Sequence, residues 1–402
     1  MSVQQVKLKI SPQPSLKVSK DTITPHEQFV EEKPIVVLGA GRNPELIETG
    51  IQPTSKTCFG PRGGAVVDKN GCLWVSDTGH HRLLGWKSIP TTDQTPADWV
   101  IGQPNFKHEG RNAKGEVTAS TLNVPTGISI CGDGIAVADA WNHRVLIWKD
   151  VPNNNNVPAD IVLGQSDFSS NEGNQGQPSA SANSFHWPYG VAWIDEYLCV
   201  ADSENRRVLI WKGIPQENNQ PADIVLGQKD FTTRDENAGG EPNAMSMRWP
   251  HGIAMWAGHF CVSDAGNNRI MIWKGIPNSN GAECDYVIGQ TTTDIVDHNQ
   301  SLYWPRDNAL NMPYAIATKG DWLITADTAN SRLLAWHIDD LANGASARAL
   351  LGQVNFNEKG DNRWQPACAD SLCWPYGIQI HNDHLVVADS GNNRISIWRL
   401  TL

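Results

Sequence analysis

LCVADSENRRVLIW, from Leu198 to Trp211, reads as two apolar strands folded back on each other about a polar turn. Val, Ile, Leu and Trp suit a pleated, half-buried surface, and Asp202 to Arg206 between the two arms supply turn chemistry. The pattern recurs as LWVSDTGHHRLLGW (Leu73 to Trp86), IAVADAWNHRVLIW (Ile135 to Trp148) and FCVSDAGNNRIMIW (Phe260 to Trp273). It appears again as LITADTANSRLLAW (Leu323 to Trp336) and LVVADSGNNRISIW (Leu385 to Trp398). The aspartates stand at 77, 139, 202, 264, 327 and 389, in steps of 62, 63, 62, 63 and 62 residues. Arg82, Arg144, Arg207, Arg269, Arg332 and Arg394 each follow their aspartate by five residues. Six copies in phase are beyond chance, and a fixed period is the mark of a repeat architecture.

Outward from this core, each unit adds a short run opened by Pro, as in Pro188-Tyr189-Gly190-Val191-Ala192, and an IVLGQ-type run after the Trp. Four strand-like pieces per unit, without helical periodicity, predict an all-β, six-bladed propeller of four-stranded blades. Five units finish on Gly-Gln (102–103, 164–165, 227–228, 289–290, 352–353), but the sixth stops at Leu402 without that strand. The missing piece stands at the other end, where Ile35-Val36-Val37-Leu38-Gly39 precedes the first unit. An N-terminal strand is therefore expected to complete the last blade, leaving no unpaired edge between first and last. This places the propeller at residues 34–402 and an N-terminal tail, read as an extended segment, at 1–33.

The Pro-x-Gly start, the Asp-x-x-x-x-Arg turn and the Gly-Gln end resemble NHL repeats across residues 34–402. The units are longer than usual, mainly between Gly-Gln and the next Pro, where Phe106, Phe168, Phe231 and Phe356 stand six residues before Asn112, Asn174, Asn237 and Asn362. That regularity predicts ordered loops anchored by the Phe. The resemblance also excludes. Peptidylglycine amidating lyase is similar to an NHL propeller whose zinc is held by histidines at Pro-His starts of different blades, and here His251 alone stands at such a start. One imidazole does not make a three-ligand zinc centre. Gluconolactonase-like hydrolases ring a central divalent metal with acidic ligands, and no acidic residue follows Pro in any unit.

Repetition assigns most of the remaining motifs to structure. Six Asp–Arg pairs in one position brace turns, and the Asn at 142, 205, 267, 330 and 392 belongs to the same device, with His80 as its substitute in the first unit. The six strand-end Trp residues pack between blades. Cys199 and Cys261 occupy equivalent places and read as buried, inert thiols, whereas Cys368 and Cys373 are spaced to pair or to bind metal.

Ligand chemistry is expected where the repeat varies within a fixed frame. The residue after each Pro, at the mouth of the axial channel, is Arg62, Thr126, Tyr189, His251, Tyr314 and Tyr376. Tyrosines stack on or hydrogen-bond a polar ligand, Arg62 suits an anion, and His251 is the one candidate acid or base. A second ring, two residues before each Pro, is Phe59, Asn123, His186, Arg248, Asn311 and Cys373. The reading these features support is a scaffold that binds a protein partner or small ligand at the channel-mouth and long-loop face. An enzyme of hydrolase or lyase type, with its active site at the channel mouth, is the alternative. No cofactor is expected, although a divalent metal in the axial channel stays open. RNA binding, known for NHL domains of tripartite-motif proteins, fits less well with a net charge of −11, so no nucleic-acid partner is expected. No secretory signal, apolar span or disulfide-dense pattern stands in the sequence, and the expected setting is cytoplasmic, without a membrane.

Overall fold

A computed structural model describes residues 27–44, 51–63 and 65–402. Six antiparallel sheets of four strands stand in a ring, and no α-helix occurs among the described residues. In the third blade the strands are Pro188–Ile194, Tyr197–Asp202, Arg207–Lys212 and Ile224–Leu226. The repeated stretch forms the central hairpin, pairing Leu198 with Trp211 and Asp202 with Arg207. Its alternation sends residues toward both neighbouring blades, so among the described residues six core clusters each span two blades, and a seventh lies at the axis. One joins Cys199, Val208 and Ile210 of the third blade to Phe260, Val262 and Trp273 of the fourth.

The ring closes as the sequence predicted. Val36–Gly39 pairs antiparallel with Arg394–Arg399 and completes the sixth blade, with Val36 opposite Ile397. Five strand-end indoles donate to a carbonyl nine residues on, in the loop that leads to their own fourth strand, as Trp211 does to Gln220 (3.0 Å). Trp398 has no such loop, because its fourth strand comes from the other end of the chain, and it donates to Ser396 Oγ instead (3.0 Å). The described part of the tail also packs. Phe29 is fully buried and Val30 nearly so, in the cluster between blades five and six, and the Phe29 carbonyl accepts the Thr401 N–H (3.0 Å). Residues 1–26 of the expected tail lie outside the described residues.

The connections sort by face. The Asp–Arg turns and the long segments from Gly-Gln to Pro share one face, the long-loop face. The first hairpin of each blade, such as Cys131 to Gly134, opens on the other, the hairpin face. The first strand of each blade lies at the axis edge of its sheet and touches the first strands on either side.

Candidate functional site

Each Asp–Arg pair is a buried hub that ties the long loops to their blade. In the second blade Asp139 Oδ1 accepts the Asn123 N–H (2.6 Å), while Oδ2 accepts Arg144 Nε (2.8 Å) and Asn142 Nδ2 (2.7 Å). Arg144 Nη1 donates to the Phe168 carbonyl in the outgoing loop (2.7 Å). Its Nη2 donates to the carbonyls of Thr118 and Thr121 in the incoming loop (2.9 Å each). The planar fork of Arg suits this division of labour. The same geometry recurs around Arg82, Arg207, Arg269, Arg332 and Arg394. The loop phenylalanines thus contribute their carbonyls as well as their rings. In the fourth blade Thr293 takes that place, and in the sixth Arg42 of the N-terminal segment.

The two sets of Asn seen separately in the sequence prove to be partners. Asn112 and Asn142 exchange amide hydrogen bonds (3.2 and 2.8 Å), as do Asn174–Asn205, Asn299–Asn330 and Asn362–Asn392. Blade one departs from this. His80 Nδ1 meets Asp77 Oδ2 and Nε2 meets the Ile51 carbonyl, each at 2.8 Å. Both partners only accept, so the ring carries two protons. Burial works against that charge, but Asp77 and the Ile51 carbonyl outweigh it and hold the pKa above the ordinary 6.5. Asp77 is likewise pulled up by burial and more than compensated by Arg82 and His80, which leaves it below the usual carboxylate range. A His pKa raised on folding adds stability that is complete at low pH and fades as pH rises through the folded value. The stability advantage of the wild type over His80→Asn is therefore expected to be complete below the ordinary imidazole pKa of about 6.5 and to shrink as pH rises through the raised folded value. Urea midpoints across that range measure it, and a pH-independent difference would refute the imidazolium.

The second-ring residues share a backbone role. The N–H groups of Phe59, Asn123, His186, Arg248, Asn311 and Cys373 each donate to the Asp of their blade. The next residue is fixed from the preceding blade, as Trp187 N–H donates to His143 Nδ1 (3.0 Å) and Val124 N–H to His81 Nδ1 (3.0 Å). Both imidazoles are neutral acceptors, pushed by burial to a pKa of about 4. The glycines that open the first strands follow from close approach. A Cβ on Gly63 would stand 1.4 Å from the Thr126 carbonyl oxygen, and one on Gly190 1.8 Å from that of His251.

These supports bring all six first-ring residues together. The Arg62 guanidinium lies over the Tyr376 ring (4.8 Å), and Tyr376 packs on Tyr314 (4.7 Å). Tyr314 packs on His251 (4.3 Å), and His251 on Tyr189 (4.2 Å). Tyr189 Oη reaches across to the Arg62 carbonyl (3.3 Å), and Thr126 Oγ1 donates to the Tyr189 carbonyl (2.9 Å). The cluster closes the axis at the long-loop face. Arg62 alone is exposed, and His251 is wholly buried.

No group of three His, Cys, Asp or Glu among the described residues is arranged to hold a metal. Cys199 and Cys261 are buried, with thiols pushed up by burial. Cys368 and Cys373 are not bonded to each other. Cys368 Sγ lies against Arg363 (3.1 Å) and Asp370 (3.2 Å).

One feature of this face escaped the sequence reading. Trp141, Tyr303 and Trp364 are 43%, 65% and 66% exposed, alongside Phe59, Ile295 and Val354. The signal was available for Trp141, which follows its Asp by two residues where the other units have Gly79, Glu204, Gly266, Ala329 and Gly391.

The NHL repeat family model matches residues 122–148 and 247–273, in the second and fourth units. No curated protein matches the chain. Among solved structures, a protein of unknown function from Bacteroides thetaiotaomicron is 14% identical, over 94% of this chain and 76% of that one, with a TM-score of 0.52. Kuenenia stuttgartiensis hydrazine synthase is 11% identical, over 89% and 99%, with a TM-score of 0.49. Virginiamycin B lyase from Staphylococcus aureus is 12% identical, over 87% and 98%, with a TM-score of 0.43. Such identities speak for fold alone. With two units matched directly and the same Asp–Arg hub in all six, the chain is an NHL-repeat β-propeller of six blades.

Proposed function

We propose that the protein is a non-enzymatic scaffold that binds a protein partner on its long-loop face. The observation that carries this reading is the concentration of exposed large apolar side chains there. Of the eight among the described residues, all but Ile130 and Leu402 stand on that face. Trp, Tyr and Arg dominate binding hot spots, and here Arg111 lies 4.7 Å from the Trp141 ring and Lys359 4.0 Å from that of Tyr303. The Arg hubs hold the loops that carry these groups, so little ordering cost remains for association. No helix of the described residues is long and apolar enough to cross a membrane. The eight unpaired cysteines suit a reducing compartment, and the cytoplasm is part of the proposal.

The test combines Trp141→Ala, Tyr303→Ala and Trp364→Ala in one chain. A partner recovered with the wild-type protein from its own host is purified and titrated against both forms. Binding is expected to weaken at least about a hundredfold, at roughly 1–2 kcal/mol per anchor, with melting temperature nearly unchanged because exposed substitutions perturb folding little. Equal affinity of both forms would defeat the proposal.

A further inference from the structure

We infer, building on the scaffold reading above, that the partner docks through an acidic segment whose carboxylates are taken by Arg206, Arg234 and Arg248, where blades three and four meet on the long-loop face. Arg206 marks the place by breaking a rule of the repeat. Four residues after their Asp, His81, His143, Asn268, Ser331 and Asn393 each accept the N–H that precedes Pro in the next blade, at 2.9–3.2 Å. Arg has no acceptor to offer. The Trp249 N–H falls back on Asp264 Oδ1 (3.2 Å), which already accepts the Arg248 N–H (2.9 Å). Arg206 Nη1 donates to the Glu204 carbonyl, but its Nε is buried without a partner among the described residues. Asn or Ser would serve the fold better here, and a local rule broken without structural return points to function.

Two further positions put arginine beside it. Arg248 stands in the second ring, where the other units have Phe, Asn, His, Asn and Cys. Arg234, in the loop between the two blades, reaches back so that its Nη2 donates to His186 Nδ1 (3.0 Å). A nitrogen that accepts carries no proton, so His186 is neutral, and burial together with Arg234 holds its pKa below the ordinary 6.5. Arg234 has no carboxylate partner among the described residues. Arg206 and Arg248 hold Glu204 (3.5 Å) and Glu236 (3.1 Å) in solvent-accessible pairs. Such pairs are weak enough to exchange for a partner's carboxylates, which a guanidinium takes in a bidentate fork. In a chain of net charge −11 this sector runs against the overall composition, and it steers an acidic segment toward itself. The interleaved glutamates repel a continuous phosphate backbone, whereas a peptide presents its carboxylates one at a time.

The experiment follows the fluorescence anisotropy of labelled hexaglutamate and hexauridylate titrated with the full chain at low salt. Hexaglutamate is expected to bind one per chain, and more tightly than hexauridylate. Arg206→Gln/Arg234→Gln/Arg248→Gln should weaken it at least about tenfold, at a few-fold per exposed charge contact. Lys69→Gln/Lys149→Gln/Lys212→Gln removes as much charge from exposed sites on the hairpin face and should leave affinity nearly unchanged. Arg206→Asn separates binding from folding and serves if the triple variant fails to fold. It returns an acceptor to the Trp249 N–H, so the melting temperature should hold or rise while affinity falls about twofold to fivefold. No hexaglutamate binding, equal losses in the two triple variants, tighter hexauridylate binding, or a lower melting temperature for Arg206→Asn would each overturn the site. The aromatic anchors are scored on the host partner and the arginines on hexaglutamate, so the two proposals fail separately.

Discussion

A chain lacking residues 1–40 is expected not to reach the native state, whereas one lacking residues 1–30 folds with reduced stability. Val36, Val37 and Leu38 are buried, and Val36 and Leu38 contribute to the cluster that fuses the sixth blade to the first. Full burial of such side chains is worth roughly 1.5–3 kcal/mol each. The loss does not stop there. Val37 N–H donates to Asp93 Oδ1 (2.9 Å) and its carbonyl accepts from Gln94, which tethers the last blade to the first. Without Val36–Gly39 the sixth blade presents the unpaired edge of Arg394–Arg399, an open template for association. Together these remove most of the roughly 5–15 kcal/mol that holds a typical protein folded. The shorter deletion removes Phe29 and Val30, whose loss costs a few kcal/mol on the scale of large-to-small core changes, about 3–5 for a Phe. Urea unfolding followed by circular dichroism, with size-exclusion chromatography for association, distinguishes the two chains. A 1–40 deletion as stable as the full chain would remove strand exchange as the closing device.

The closing strand was legible because a repeat makes its own omissions visible: five Gly-Gln ends and one missing. The hubs were legible for the same reason, since Asp and Arg recur at one spacing in all six units. What repetition could not convey is contact between positions that vary. Whether Arg62, Tyr189, His251, Tyr314 and Tyr376 ring an open mouth or meet across the axis depends on blade tilt and on the summed size of side chains from different blades. The aromatic contacts show these side chains packed against one another rather than ringing an open mouth. Phe29 occurs once in a segment without a counterpart in other units, so no internal comparison marked it as core. The Asn pairs bridge a turn and a loop about thirty residues apart, and each half has a sufficient local explanation, which hid the partnership.

Arg207→Ala is expected to cost about 3–5 kcal/mol, the scale for removing one partner of a buried ion pair. Arg207 is fully buried, and its guanidinium contacts Asp202 (2.8 Å) and the carbonyls of Phe231 (2.6 Å), Ser181 and Ser184 (2.9 Å each). Truncation leaves a buried carboxylate without its counter-charge and takes the Arg donor from three carbonyls, of which Ser181 keeps only a long bond from the Ser184 N–H (3.4 Å). Lys does not restore the hub, because a single ammonium cannot point along the directions the planar fork serves. The charge component is separable. In Asp202→Asn/Arg207→Ala the unpaired carboxylate is gone, while the carbonyls still lack the Arg donor. The double variant should therefore be less destabilised than the sum of its singles, with a coupling of roughly 1–3 kcal/mol. Hydrogen exchange supplies the spatial reading, since Ser181, Ser184 and Phe231 lie in the loops on either side of blade three. Protection should fall in those two loops first, and a partner docked on the long-loop face would lose affinity through disordered loops even though no side chain it touches has changed. A cost below about 1 kcal/mol for Arg207→Ala would mean that the loops are held by their own packing and that the hub is redundant.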